Sequence, residues 1–338
     1  MIVIVDKKIS DGALESIVSQ LKDYGCEVQL NHGIQDLILG VIGDTTQIPV
    51  KHFESLEHVK RVMKVSAPYK KASRTMHPDD SIFTIDGTSI GGDHFAMIAG
   101  PCSVESEEQL MHIARRVKAS GATMLRGGAY KPRTSPYSFQ GMGTEGLRLL
   151  QQAKAETGLP IVSELMGTDH LDEFVEMVDV IQIGARNMQN FDLLKAIGQT
   201  KKPILLKRGL SATYEEWLMS AEYVMAGGNN NVILCERGIR TYDQTTRNVF
   251  DLQAVPVIQK HSHLPIVVDP SHAGGYTYLV EPMAKAGVMA GANGITVEVH
   301  HDPANALSDG QQALTPDQFD DMMAVIKVLL DIEKKKLG

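Results

Sequence analysis

From Phe95 onward the chain repeats one pattern: a short apolar run ending on charged or polar side chains, then an amphipathic helical stretch. The apolar runs are AMIAG (96–100), TMLRGG (123–128), PIVSEL (160–165), VIQIG (180–184), PILLKR (203–208), VILCERG (232–238), PIVVDPSH (265–272) and GITVEVH (294–300). Helical spacing fills the intervals, for example at 107–119, 145–157 and 212–226, and predicts a last helix over 316–335. Eight strand–helix units in roughly 240 residues have the number and size of a (β/α)₈ barrel. A doubly wound sheet would need fewer strands and a reversal of strand order. In a barrel the strand ends meet at one face, so Arg126, Glu164, Lys207, Glu236, Arg237, Asp269, His272 and Glu298 are expected at a common rim.

The first 65 residues read differently. Leu14, Ile17, Val18 and Leu21 follow helical spacing, whereas Leu37, Leu39 and Val41 alternate as in a half-buried strand. The segment predicts strand, helix, strand, strand, helix, strand, at 2–5, 11–24, 26–30, 36–43, 50–56 and 59–65, which is a ferredoxin-like unit. Pro68, Pro78, Gly87, Gly91 and Gly92 punctuate the next stretch. The expected organisation is therefore a ferredoxin-like domain (1–66), a linker with a short hairpin (67–94) and a (β/α)₈ barrel (95–338).

Composition narrows the function. A chain of 338 residues with 43% hydrophobic and 22% charged side chains is ordinary for a soluble globular protein. No apolar run approaches the roughly 18 residues of a membrane span, and the start MIVIVDKKIS lacks a signal-peptide layout. A net charge of −8 argues against general nucleic-acid binding. Cys26, Cys102 and Cys235 are odd in number and far apart, so reduced thiols in the cytoplasm are expected rather than disulfides. His261 and His263, which precede the seventh barrel strand, read as surface residues, and Trp217 as packing.

Two constellations carry chemistry. Arg126, Lys131, Arg133, Arg186, Lys207, Arg208, Arg237 and Arg240 all fall at or just after strand ends. Neighbours on a strand face opposite ways, so pairs such as Lys207 and Arg208 must divide between the mouth and the outside. Buried cations are expensive unless matched, so a cluster here implies bound anions or partner carboxylates. In LRGGAYKPRTSPYSF, Pro132 stiffens the loop, and Thr134 and Ser135 add hydroxyls suited to phosphate oxygens. The second set is Cys102, His272, Glu298 and Asp309. Strand one adjoins strand eight in a closed barrel and seven adjoins eight, so these residues can share one rim. A thiolate, an imidazole and two carboxylates suit zinc, iron, manganese or cobalt better than calcium. Taken alone, His272 reads more readily as a hydrogen-bonded structural histidine; paired with Cys102 at the expected mouth, it reads better as a metal ligand.

IAGPCSVES, LRGGAYKPRTSPYSFQG, IGARNMQN, LLKRG, LCERGIRT, VDPSHAGG and ITVEVHHDPANALSDG together resemble, in order, the 3-deoxy-D-arabino-heptulosonate 7-phosphate (DAHP) synthases. The resemblance runs from Phe95 to the C-terminus, and the first module resembles the ACT-type regulatory domain of one subgroup. It implies a (β/α)₈ barrel that condenses phosphoenolpyruvate with erythrose 4-phosphate in the first step of the shikimate pathway. It implies one divalent metal per subunit (manganese, iron, cobalt, zinc or cadmium) held by Cys102, His272, Glu298 and Asp309. Arg126, Lys131, Glu164, Arg186, Lys207 and Arg237, with backbone amides near Gly184 and Ala185, would line the phosphoenolpyruvate site. Arg133, Thr134 and Ser135 would hold the phosphate of erythrose 4-phosphate. Lys131 would act as proton donor or as electrostatic clamp, and Glu164 would handle the attacking water. The resemblance also favours a homotetramer, with the N-terminal module either binding an aromatic amino acid as feedback inhibitor or serving in assembly; Gln29, Asn31 and His32 are candidate effector contacts.

Two alternatives remain at this stage. The sister enzymes that make 3-deoxy-manno-octulosonate 8-phosphate (KDO8P) from arabinose 5-phosphate resemble this chain in the barrel. Their aldose loop carries Asn-Arg-Ser-Ser, where this chain reads Lys131-Pro132-Arg133-Thr134. The other is a metal-stabilised barrel that binds a sugar phosphate without turning it over.

Overall fold

The computed structural model describes every residue except 34–35, 65–67 and 133–134. The chain divides into two compact units, Met1–Asp80 with Lys260–His263, and Ser81–Gln259 with Leu264–Gly338.

In the first unit β1 (Ile2–Asp6), β2 (Glu27–His32), β3 (Asp36–Ile42) and β4 (Val59–Met63) form an antiparallel sheet in the order β2-β3-β1-β4. Helices α1 (Asp11–Asp23) and α2 (Val50–Glu54) complete the predicted βαββαβ order. Ser10 starts α1 by accepting from the Ala13 amide, which satisfies one of the donors a helix start leaves open. Ile17 and Leu21 then fall on the buried stripe and pack with Val3, Val5, Leu39, Val41 and Phe53. The other face of the sheet buries Ile2 and Ile38 beneath Met76. Gly40 permits this: a Cβ there would lie 2.3 Å from the Met76 Cε.

His263 does not read out as expected. It is 4% exposed, donates from Nε2 to the Lys71 carbonyl at 2.8 Å and lies against the His77 ring. Its surroundings come from a segment 192 positions away in sequence, so no local pattern announces the burial. Burial holds its imidazole well below the usual range, at about 4.

The second unit opens with a hairpin, β5 (Phe83–Ile85) and β6 (Thr88–Ile90). Eight parallel strands follow: β7 (His94–Gly100), β8 (Met124–Arg126), β9 (Ile161–Glu164), β10 (Val180–Ile183), β11 (Ile204–Lys207), β12 (Val232–Glu236), β13 (Ile266–Val268) and β14 (Gly294–Glu298). Each pairs with the next, and β14 pairs with β7, placing Glu298 opposite Gly100 and closing the barrel. A two-residue strand, β15 (Lys336–Leu337), adds to the start of β7. Ile85 and Ile90 pack with Ala96, Ile98, Met124, Val162, Val180 and Leu205, so the hairpin seals the end at which the strands begin.

The helices are α3 (Glu107–Ser120), α4 (Thr144–Thr157), α5 (Leu171–Met177), α6 (Phe191–Gly198), α7 (Tyr214–Ala226), α8 (Ala254–His261), α9 (Pro270–Gly274), α10 (Thr277–Met289) and α11 (Pro316–Ile332). Capping boxes start α7 (Thr213 with Glu216) and α11 (Thr315 with Gln318), and Ser106 caps α3. Trp217 is buried, and its indole N–H reaches the Leu206 carbonyl at 3.1 Å, tying α7 to β11. Burying a side chain of this kind stabilises the fold by roughly 1.5–3 kcal/mol. The short α9 was not separable in the sequence. Asp269 caps it, accepting from the His272 amide at 2.9 Å, and so sets where His272 stands.

Candidate active site

Strand ends deliver the site. Arg126 closes β8, Glu164 β9, Lys207 β11 and Glu298 β14, while Gly184, Arg237 and Asp269 come one residue after β10, β12 and β13. A pocket at this end is lined by Lys131, Pro132, Glu164, Gly184, Ala185, Arg186, Lys207, Arg237, Arg247, His272 and Asp309. Five of these are cationic and two are carboxylates, so the field in the pocket favours an anion although the whole chain is acidic.

The cations differ in what holds them. Lys207 Nζ lies 2.6 Å from Asp269 Oδ2. Arg237 is 4% exposed and makes no ion pair among the described residues; burial lowers its pKa from the ordinary arginine value. Arg126 is 5% exposed, with one nitrogen 3.1 Å from Glu298 Oε1 and with Nε and Nη1 lacking a hydrogen-bond partner among the described residues. Buried donors left unmatched are costly, and a carboxylate or phosphate would satisfy them. The alternation expected of neighbours on a strand is observed. Lys207 faces the pocket, whereas Arg208 is buried away from it, paired with Glu236 at 3.0 Å and Asp251 at 2.8 Å beneath the Tyr214 ring. Arg240 is exposed and does not line the pocket.

Lys131 is buried among the loop residues that line the pocket. Its ammonium donates to the Cys102 carbonyl and to Cys102 Sγ, each at 3.0 Å. Burial disfavours its charge, but Cys102, Glu164 and Glu298 around it outweigh burial and raise its pKa, so it stays protonated. Gly128 makes room for it, since a Cβ there would lie 2.8 Å from the Cys102 carbonyl oxygen and 3.1 Å from Nζ. Glu164 accepts from Gln182 at 3.0 Å and lies against Gly184, where a Cβ would overlap its carboxylate. Ser135 is exposed, with its hydroxyl accepting from the Tyr137 amide at 3.3 Å, and is not brought to the pocket. Arg133 and Thr134 lie outside the described residues.

Beside the cations sits a soft-donor group. Ligand atoms of Cys102, Glu298 and Asp309 lie within 4.8 Å of one another, with Cys102 Sγ 3.3 Å from Asp309 Oδ2. Ser308 donates to the same sulfur at 2.7 Å. His272 borders the group rather than joining it: its Nε2 is 3.2 Å from Glu298 Oε1 and its Nδ1 2.7 Å from Asp269 Oδ2. Burial raises the Asp269 pKa, yet His272 and Lys207 outweigh it and hold that carboxyl well below its usual range. Burial, and then the Glu298 carboxylate, push the Cys102 thiol up to about 11 against the pull of Lys131. A divalent cation would reverse that balance, because a coordinated thiol gives up its proton. Glu298 Oε1 is buried and, although Arg126 lies 3.1 Å away, makes no hydrogen bond among the described residues, so it has capacity to accept a divalent cation. The donor set fits a divalent metal.

Arg247, Gln312 and Ser308 were not singled out in the sequence. They lie in loops without periodicity, and polar residues there carry no signal until the fold shows what they touch.

A closed barrel whose strand ends gather a thiol–carboxylate cluster beside a cationic pocket defines a barrel protein built to take an anionic ligand at that rim. Residues 72–332 match the DAHP synthetase I family, and residues 1–67 match the DAHP synthase ferredoxin-like domain. The chain belongs to the DAHP synthetase I family. It is 47% identical over 331 residues to a phospho-2-dehydro-3-deoxyheptonate aldolase of Thermotoga maritima, covering 98% of both chains. The crystal structure of the DAHP synthase of that name and organism superposes with a TM-score of 0.80 at 46% identity, covering 100% of this chain and 99% of the other. A 2-dehydro-3-deoxyphosphooctonate aldolase of Syntrophobacter fumaroxidans is 30% identical over 270 residues, covering 75% of this chain and 92% of its own.

Proposed function

We propose that this chain is a DAHP synthase, joining phosphoenolpyruvate, erythrose 4-phosphate and water to give 3-deoxy-D-arabino-heptulosonate 7-phosphate and inorganic phosphate, the first step of the shikimate pathway. The observation that carries the reading is the meeting of Cys102, Glu298 and Asp309 with a cationic pocket, in a chain matching a heptonate aldolase from end to end. The octonate relative is 30% identical where the heptonate aldolase is 47% identical, which weighs against arabinose 5-phosphate as the aldose.

In this reading Arg126, Arg186, Lys207 and Arg237 hold the carboxylate and phosphate of phosphoenolpyruvate, with amides near Gly184 and Ala185. Arg126 contributes two donors that have no other partner. Arg133, Thr134 and Ser135 hold the aldose phosphate, with Ser135 turning inward from its exposed position. Cys102, Glu298 and Asp309, joined by His272 through the Nε2 that faces Glu298, would hold one divalent metal, which would supply Lewis-acid polarisation of the aldehyde. The methylene carbon of phosphoenolpyruvate attacks the aldehyde carbon, forming the carbon–carbon bond. Lys131, protonated and fixed beside Cys102, gives its proton to the aldehyde oxygen as negative charge develops there. Glu164 takes a proton from the water that adds to the electron-poor enol carbon. The resulting hemiketal phosphate then loses phosphate by carbon–oxygen cleavage. Positioning and field supply most of the rate, because the pocket cations stand in place before substrate binds.

We assign residues 1–66 to a regulatory module that binds an aromatic amino acid, residues 67–94 to a connector with its hairpin and residues 95–338 to the catalytic barrel, in a cytoplasmic homotetramer. Three unpaired buried cysteines support a reducing compartment. Among the described residues no helix is long and apolar enough to cross a membrane. The test is phosphate release from phosphoenolpyruvate with manganese, comparing erythrose 4-phosphate with arabinose 5-phosphate, each with and without tyrosine or phenylalanine. Turnover with erythrose 4-phosphate and inhibition by an amino acid are expected. Preference for arabinose 5-phosphate would move the chain to the sister activity, and binding without phosphate release would make it a sensor.

A further inference from the structure

The loop after β12 runs back over the turn that carries His272. The Arg247 amide donates to the Gly274 carbonyl at 3.1 Å and the Asn248 amide to that of Ala273 at 2.9 Å. The Asn248 side chain donates to the His272 carbonyl at 3.0 Å. The approach is close: a Cβ on Gly275, at φ +77°, would stand 2.6 Å from the Arg247 Cβ. From this root the Arg247 guanidinium reaches the loop after β14. Its Nη1 donates to Gln312 Oε1 at 2.8 Å and lies 3.6 Å from Asp309 Oδ1. Gln312 is wholly buried, and its Nε2 donates to Glu298 Oε2 at 2.7 Å.

The chemistry of these groups fixes their orientation. A side-chain amide can be turned either way, but a guanidinium can only donate and a carboxylate can only accept. With Arg247 on one side and Glu298 on the other, a single orientation of Gln312 satisfies both. One oxygen of Glu298 is thereby pinned, and Oε1 is left as the one without a hydrogen bond, beside Arg126 and His272.

We infer that Arg247 is a positioning residue for the metal centre. Through Gln312 it fixes the rotation of the Glu298 carboxylate, and its segment holds the His272 turn in place. Arg247 thus links His272, Glu298 and Asp309, three groups carried by separate loops and a strand end. The inference rests on the reading of Cys102, His272, Glu298 and Asp309 as metal ligands.

The test is titration of the metal-free, full-length protein with Co²⁺ alone, without substrate, following affinity and the visible spectrum. Arg247→Met and Gln312→Met should each weaken cobalt binding about 10–100-fold, the range typical for groups that orient ligands. The ligand-field bands should shift, while the sulfur-to-cobalt charge-transfer band persists because Cys102 is untouched. The double variant should bind no more weakly than the weaker single one, since both changes break one chain. Arg247 is one-third exposed, so its variant keeps the test open should the change at buried Gln312 fail to fold. Affinity and spectrum unchanged in Arg247→Met would overturn the inference, as would additive losses in the double variant. A wild-type protein that takes up no cobalt would sink the metal site and the inference together. Cobalt bound normally by both wild type and Arg247→Met would sink the inference alone.

Discussion

Replacing Arg126 with Met should separate recognition from stability. Among the described residues the guanidinium has one carboxylate partner, Glu298 at 3.1 Å, and two nitrogens with no hydrogen-bond partner. Removing one member of a buried ion pair costs about 3–5 kcal/mol. Against this, the two unmatched buried donors each cost about 1–3 kcal/mol and vanish with the side chain. The two sums overlap, so the substrate-free protein should change its thermal midpoint by about 4 °C or less. Binding has no such compensation. If Arg126 anchors phosphoenolpyruvate as proposed, two charge-assisted hydrogen bonds, at about 1.5–3 kcal/mol each, would be lost. Together they correspond to about 10²–10⁴-fold in affinity. Calorimetric titration with phosphoenolpyruvate and thermal unfolding of the same preparation measure both effects. Substrate affinity within about tenfold of wild type would refute the assignment of Arg126 as an anion anchor. A fall in midpoint beyond about 8 °C with binding retained would show that its role is structural.

Two further outcomes are expected. Cys102→Ser should weaken metal binding while far-ultraviolet circular dichroism and the midpoint of the metal-free protein stay close to wild type; undiminished affinity would remove the sulfur from the ligand set. Acid should destabilise the protein through His263: its native pKa is depressed to about 4, so below about 6.5 the unfolded chain takes up a proton that the native one refuses. Stability from this group is present above about 6.5, and about 3 kcal/mol is lost as pH falls to about 4. His263→Asn should flatten that part of the denaturant-measured profile, and an unchanged slope would contradict the burial argument.

What the sequence reveals depends on how far apart the contacting residues lie. The barrel was legible because each strand–helix unit writes its own apolar pattern, and Arg126, Glu164, Lys207 and Glu298 could be gathered because strand ends in that fold share one rim. The division of Lys207 from Arg208 followed from alternation alone. Arg247 and Gln312 escaped notice because they meet across two loops, 65 positions apart, where neither periodicity nor charge pairing operates. His263 was misread for a related cause: its local sequence resembles any polar turn, and what covers it lies far away along the chain.

The pairing of β14 with β7 makes the soft-donor group a product of completion. Cys102 and Asp309 are separated by 207 positions, so their meeting requires the last strand to dock against the first. Contacts of such long range are paid for in chain entropy before they return anything, and they form late. A nascent or cut chain can hold most of the cationic strand ends and still present no place where thiol and carboxylates converge. Metal uptake at this group would therefore report on closure. A cation that binds the closed barrel in preference to any open form would shift the equilibrium toward the finished ring.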